Sequence, residues 1–170
     1  MPPDQRGDIV TTRDDFIAAV HNVDERLAAL REDILANPDK PLLEGTWHVR
    51  DALSHLAARA NGVPRVLARV EAADNPSPGG APSAPRNIDE INAGQVEERA
   101  DRSAEELLEE IRAGHAAALE AAAGIDDATL ERSIPLGFRP GDATVAELLV
   151  MGGPRHDGNH LDQVEAALKA

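Results

Sequence analysis

The 170-residue sequence contains no cysteine, which excludes a disulfide framework, a thiolate metal site and a cysteine nucleophile together. Tyrosine is also missing, and the aromatic residues are Phe16, Phe138 and Trp47 alone. Sheets draw on β-branched and aromatic side chains, whereas alanine and leucine interspersed with charge suit helices, so the composition predicts an all-α chain. No apolar run reaches the roughly 18 residues of a membrane span. The opening MPPDQRGDIVTT lacks the basic start and apolar stretch of a signal peptide, which makes the cytoplasm the expected compartment. Cations are few, with 17 Lys and Arg against 31 Asp and Glu and a net charge of -14. A surface this acidic repels phosphate backbones and anionic headgroups, so neither nucleic acid nor a membrane is an expected partner. The G-x-S-x-G elbow, the P-loop, a G-x-G-x-x-G after a strand and H-E-x-x-H are all absent.

What is present is helical periodicity. Phe16, Val20, Val23, Leu27, Leu30 and Ile34 recur at spacings of four and three, predicting a helix from about Thr12 to Leu35. Thr12 with Asp15 caps it, and ANPDKP ends it. A second run from Thr46 to Ala72 carries Val49, Leu53, Leu56, Ala60, Val63, Leu67 and Val70, with Pro64 expected to kink it. DNPSPGGAPSAP, from Asp74 to Pro85, reads as a long Pro/Gly-rich loop between helices two and three. The third region, Ile88 to Ala123, divides at the capping-box pair Ser103 and Glu106. Residues Ile125 to Gly141 read as a loop with room for a short helical turn. The fourth region, Ala143 to Leu168, is interrupted by Gly152-Gly153-Pro154. With no internal repeat and no dividing linker, the expectation is one domain over residues 1–170, a four-helix bundle.

Without cysteine, metal or acid–base chemistry falls to histidine and the carboxylates. His156 and His160 are four apart, so on a helix their imidazoles stack one turn above each other and can converge on one ion. The spacing also fits two partly exposed polar residues, and it does not choose between them. His55 on the second helix, beside its apolar stripe, is a candidate third ligand. The Glu97-Glu98, Glu105-Glu106 and Glu109-Glu110 pairs repeat on a solvated helix face, the ordinary reason for them.

The run Thr46-Trp47-His48-Val49-Arg50-Asp51-Ala52-Leu53-Ser54-His55-Leu56-Ala57 resembles the W-x-V-R-D-x-L-x-H-L-A motif of the DinB-like superfamily. The similarity is strongest to the metal-binding N-terminal domain of mycothiol-dependent maleylpyruvate isomerase and related thiol S-transferases. Ile91-Asn92-Ala93 and His156-x-x-x-His160-x-x-Gln163 resemble that family too, in order and spacing. The resemblance implies a four-helix bundle holding one divalent metal, zinc or nickel, through His55, His156 and His160. It implies an enzyme that joins a mycothiol-like, low-molecular-weight thiol to an electrophilic small molecule, with a homodimer as a further expectation. His48 fills the variable position after the tryptophan and is not carried over. The isomerase itself resembles this chain but for a glutamate where this chain has His156 and for a further C-terminal domain, two departures that point away from that isomerisation.

Other residues carry weaker expectations. Gln163, one turn beyond His160, and Asn92, at the start of the third region, are candidates to orient a ligand or reach the mouth of the site. His115 is either a further imidazole near the ion or a buried, hydrogen-bonded histidine, and Trp47 reads as a packing anchor. Two alternatives to thiol transfer stand: a hydrolase in which hydroxide on the ion replaces the thiolate, and a stress or self-protection protein that binds metal or a small molecule without turnover.

Overall fold

A computed structural model describes residues 11–76, 87–137 and 139–170. Helix α1 spans Arg13–Ala36, opened by a reciprocal capping box between Thr12 and Asp15. Its buried face, Phe16, Val20, Val23, Leu27 and Ile34, is the periodic stripe of the sequence.

The run from Thr46 to Ala72 is two helices where a single kinked one was expected. Helix α2, Val49–Arg59, stops at Ala60, and α3, Val63–Asp74, begins after Gly62. Pro64 therefore bends nothing: it sits in the first turn of α3, where its missing N–H would have no partner in any case. The Pro/Gly-rich loop expected from Asp74 to Pro85 lies, from residue 77 onward, outside the described residues, as does Phe138.

Helix α4, Ile88–Glu97, and α5, Ala104–Ala123, divide the third region where Ser103 and Glu106 form their capping box. A box of this kind stabilises a helix start by about 1 kcal/mol. The stretch expected to be a loop holds more than a turn. After α6, Asp127–Glu131, strand β1, Ser133–Pro135, pairs antiparallel with β2, Asp142–Thr144. Helix α7, Val145–Gly152, follows, and α8, Pro154–Lys169, begins directly beyond Gly153.

The predicted four helices are thus four rods, α1, α2 with α3, α5, and α7 with α8, of which two are broken. The breaks face each other, because Arg59 Nη2 at the end of α2 donates to the carbonyl of Gly152 at the end of α7, at 3.2 Å. Gly153 is required here, since a Cβ on it would lie 2.8 Å from the Leu149 carbonyl. Gly114 of α5 is likewise required, because its Cβ would come within 2.4 Å of the Ala60 Cβ at the other break.

Two apolar clusters fill the described bundle. One gathers Val63, Val66 and Val70 of α3 with Leu148 and Leu149 of α7, and the other gathers Leu53 and Leu56 of α2 with Leu161 and Val164 of α8. The unbroken rods serve both: α1 gives Val20 to the first and Val23 to the second, and α5 gives Ala118 to the first and Ile111 to the second. His115 lies between the last two in sequence, and the buried polar residues His55, His115 and Asp157 cross the bundle where the clusters meet. Among the described residues no helix is long and apolar enough to cross a membrane.

Candidate metal centre

The polar crossing contains three histidines that meet. His55 is delivered by the middle of α2 and is fully buried. His156 and His160 come from the first two turns of α8, which the restart at Pro154 keeps in helical register. His55 Nε2 is 3.2 Å from His156 Nε2, and His160 Nε2 is 3.3 Å from the same atom. One ring nitrogen from each of the three lies within 4.8 Å of the others. Two nitrogens at their usual 2.0–2.1 Å from a tetrahedral ion lie roughly 3.3 Å apart, so the spacing fits a single divalent metal.

The far side of each ring is committed. His55 Nδ1 donates to Gln95 Oε1 at 2.8 Å, His156 Nδ1 to Asp157 Oδ1 at 3.4 Å, and His160 Nδ1 to Gln163 Oε1 at 3.1 Å. With the proton on Nδ1, each neutral ring turns an Nε2 lone pair toward the other two. Three acceptors facing one another have no hydrogen bond to share, and a cation between them resolves the arrangement. Two of the rings, those of His55 and His160, are also biased toward the neutral form. Burial, reinforced by the charges of His160, His156 and Arg59 against a smaller opposing bond from Gln95, lowers the His55 pKa to about 4. Burial, followed by the charge of His156, lowers that of His160.

Behind the triad runs a second layer of hydrogen bonds. Asp157, in the first turn of α8, accepts from His156 on one oxygen and faces His115 Nε2 at 3.3 Å with the other. His115 Nδ1 in turn lies 2.5 Å from Asp24 Oδ1 of α1. Burial alone would depress the His115 pKa, yet the bonds to Asp157 and Asp24 outweigh it and the pKa is raised. For Asp157 burial pushes upward, and the bonds from His115 and His156 bring the net value down. His115 is therefore a buried, bonded histidine that reaches the triad only through Asp157.

The other expected residues fall as follows. Asn92 lies in the middle of α4 while Asn87 caps that helix, and with Trp47, His160 and Gln163 it lines a cavity of about 410 Å³. His48 stands apart, its backbone N–H and Nδ1 both directed at Asp51 at the start of α2. Trp47 was expected only to pack, but its ring lies 5.3 Å from that of His55 and 5.9 Å from that of His160, centroid to centroid. A tight turn fixes it there: Leu42 N–H donates to the Trp47 carbonyl at 2.8 Å. Sequence reasoning missed Gln95 and Asp24. Gln95 is forty residues from His55 on a helix with no buried residue, and Asp24 is one of several acids on α1, so neither carried a signal.

Comparison with known proteins bears on both fold and site. Residues 17–152 match the family described as mycothiol maleylpyruvate isomerase N-terminal domain. That match ends before His156, so the grouping of His156 and His160 with His55 rests on the geometry above. Among solved structures, an uncharacterized protein from Clostridium difficile 630 superposes with a TM-score of 0.70 at 13% identity, covering 95% of this chain and 98% of that one. An uncharacterised protein from Escherichia coli UTI89 gives 0.67 at 16% identity, covering 94% of each. At these identities the likeness extends to the fold alone. No curated protein matches the chain.

Proposed function

The chain belongs to the mycothiol maleylpyruvate isomerase N-terminal domain family, with a DinB-like fold, and from that premise we propose that His55, His156 and His160 bind one divalent transition metal, zinc or nickel, for catalysis. The reaction is transfer of a low-molecular-weight thiol to an electrophilic small molecule. The observation that carries this reading is the set of three Nε2 atoms turned inward with every Nδ1 already committed to an oxygen.

When bound, such an ion supplies positive charge that favours the thiolate form of a small thiol near neutral pH. The chain's own residues prepare the place for it. Gln95, Asp157 and Gln163 fix the tautomer and tilt of the three rings, so that no proton has to leave the nitrogens that face the ion. The ring of Trp47 lies against His55 and His160 and keeps water from that side. His55 is buried while His156 and His160 are half-buried, so the group has one closed and one approachable side. The cavity beside His160, with Asn92 and Gln163 in its wall, is where a small molecule reaches it.

Metal analysis of untagged protein tests the first step: about one equivalent in the wild type, and less than a tenth of that in His55→Ala and His160→Ala. The second step is thiol-dependent consumption of a model electrophile such as 1-chloro-2,4-dinitrobenzene. Metal bound without thiol-dependent turnover would overturn the transferase reading and leave the metal site standing. No metal after incubation with zinc and with nickel would overturn both.

A further inference from the structure

A second cavity, of about 280 Å³, opens on the other side of Asp157, where the two broken rods face each other. Its walls are apolar, built from Phe16, Val20, Val63, Val66, Leu148 and Leu149. Three arginines also line it: Arg59 at the end of α2, and Arg65 and Arg69 on successive turns of α3. In a chain of net charge -14 this is a concentration of positive charge against the general balance.

Six arginines elsewhere are used differently, although Arg50, outside the cavity, also donates to a backbone carbonyl, that of Ala100. Arg13, Arg26, Arg31, Arg99, Arg112 and Arg132 each pair with a carboxylate. Among the described residues none of the three cavity arginines has a carboxylate at ion-pair distance, and their bonds go to backbone carbonyls only. Arg59 donates to Gly152, Arg65 to Arg59 at 3.4 Å, and Arg69 to Pro135 and Leu136. Among the described residues the buried Nε–H of Arg59 has no acceptor. A buried guanidinium N–H without a partner is costly and uncommon. Burial, and then the charge of Arg65, also lower the Arg59 pKa against the smaller opposing pull of Asp157. The Asp157 carboxylate in the wall does not answer this need, because His115 and His156 engage its two oxygens.

We propose that this cavity binds a small organic carboxylate with an apolar body, its head on Arg59 and Arg65 and its hydrocarbon or aryl portion among Phe16, Val66 and Leu149. The volume suits such a ligand: a cavity of about 150 Å³ takes a benzene ring, so about 280 Å³ admits a ring with a short acidic chain. The inference goes beyond the metal reading and does not depend on it, since none of the three histidines lines the cavity.

The test is calorimetric titration of the full chain, stripped of metal with EDTA, with 4-phenylbutyrate and with the uncharged 4-phenyl-1-butanol. The acid binds at one site, and the alcohol binds at least about tenfold more weakly, the worth of a charge-assisted hydrogen bond. Arg65→Gln, at an exposed position that leaves folding untouched, and Arg59→Gln each weaken the acid about tenfold, whereas Arg112→Gln, paired elsewhere with Glu109, does not. Equal affinity for acid and alcohol overturns the proposal, as does acid binding that ignores Arg59 and Arg65. Binding seen only after metal is restored assigns the carboxylate to the ion and overturns it equally. Retention of acid binding in His55→Ala keeps the outcome separate from that of the metal reading.

Discussion

At the level of single residues, the triad is defined as much by what stands behind it as by the imidazoles themselves. Gln95 is the side chain bonded to His55 Nδ1, and replacing it by leucine frees that ring to change tautomer. The expected cost is 10–100-fold, roughly, in zinc affinity with the fold intact, read by competition with a chromogenic chelator. The buried imidazole also gives the metal-free protein a pH signature. His55 has a pKa of about 4 in the fold, against the ordinary histidine value of about 6.5. Between these values the unfolded chain takes up a proton that the folded chain refuses. Its contribution to stability is therefore complete above about pH 6.5 and is lost as the pH falls toward 4. In EDTA, the urea midpoint of the wild type should drop more steeply over that window than that of His55→Gln. Of this site the sequence displays His156 and His160 by their helical spacing, while His55 joins them through its family motif. Gln95 is invisible because only the folded chain brings α4 over α2. The reach of Trp47 is invisible because one tryptophan before a helix looks the same whether it packs on leucine or on histidine.

Among the elements, the joints matter more than the helices. An alanine at 153 would press its Cβ on the Leu149 carbonyl, forcing the start of α8 outward and carrying His156 with it. Gly153→Ala should keep the helical circular dichroism and lose about tenfold in zinc affinity. Gly114→Ala puts a methyl within 2.4 Å of the Ala60 Cβ, closer than two carbons can pack. Its overpacking outweighs the gain in helix propensity, for a net loss of about 1–2 kcal/mol in denaturant unfolding. Two helix starts were legible from caps written in the chain, Thr12–Asp15 and Ser103–Glu106, whereas the equivalent box at Thr144–Glu147 and the cap at Asp126 went unread. The joint at residues 60–62 was not, because the apolar stripe of the second region runs through it unbroken and Pro64 drew attention to the wrong turn. The hairpin escaped because strands of three residues are too short to show alternation.

Across the whole molecule, the polar crossing and the two facing joints fall at one level, between two apolar clusters. Among the described residues only α1 and α5 pass that level as continuous helices. The bundle therefore has a waist, where two struts and a set of buried hydrogen bonds join its halves and where the three histidines could hold an ion. In the metal-free protein the amides around residues 60–62 and 152–154 should exchange with deuterium well before those of α1 and α5, and zinc should slow them selectively. An ion bound at such a level would act as a clamp on a hinge. The two halves would then open as separate cooperative units without it and as one with it, so that calorimetric unfolding sharpens when the metal is restored.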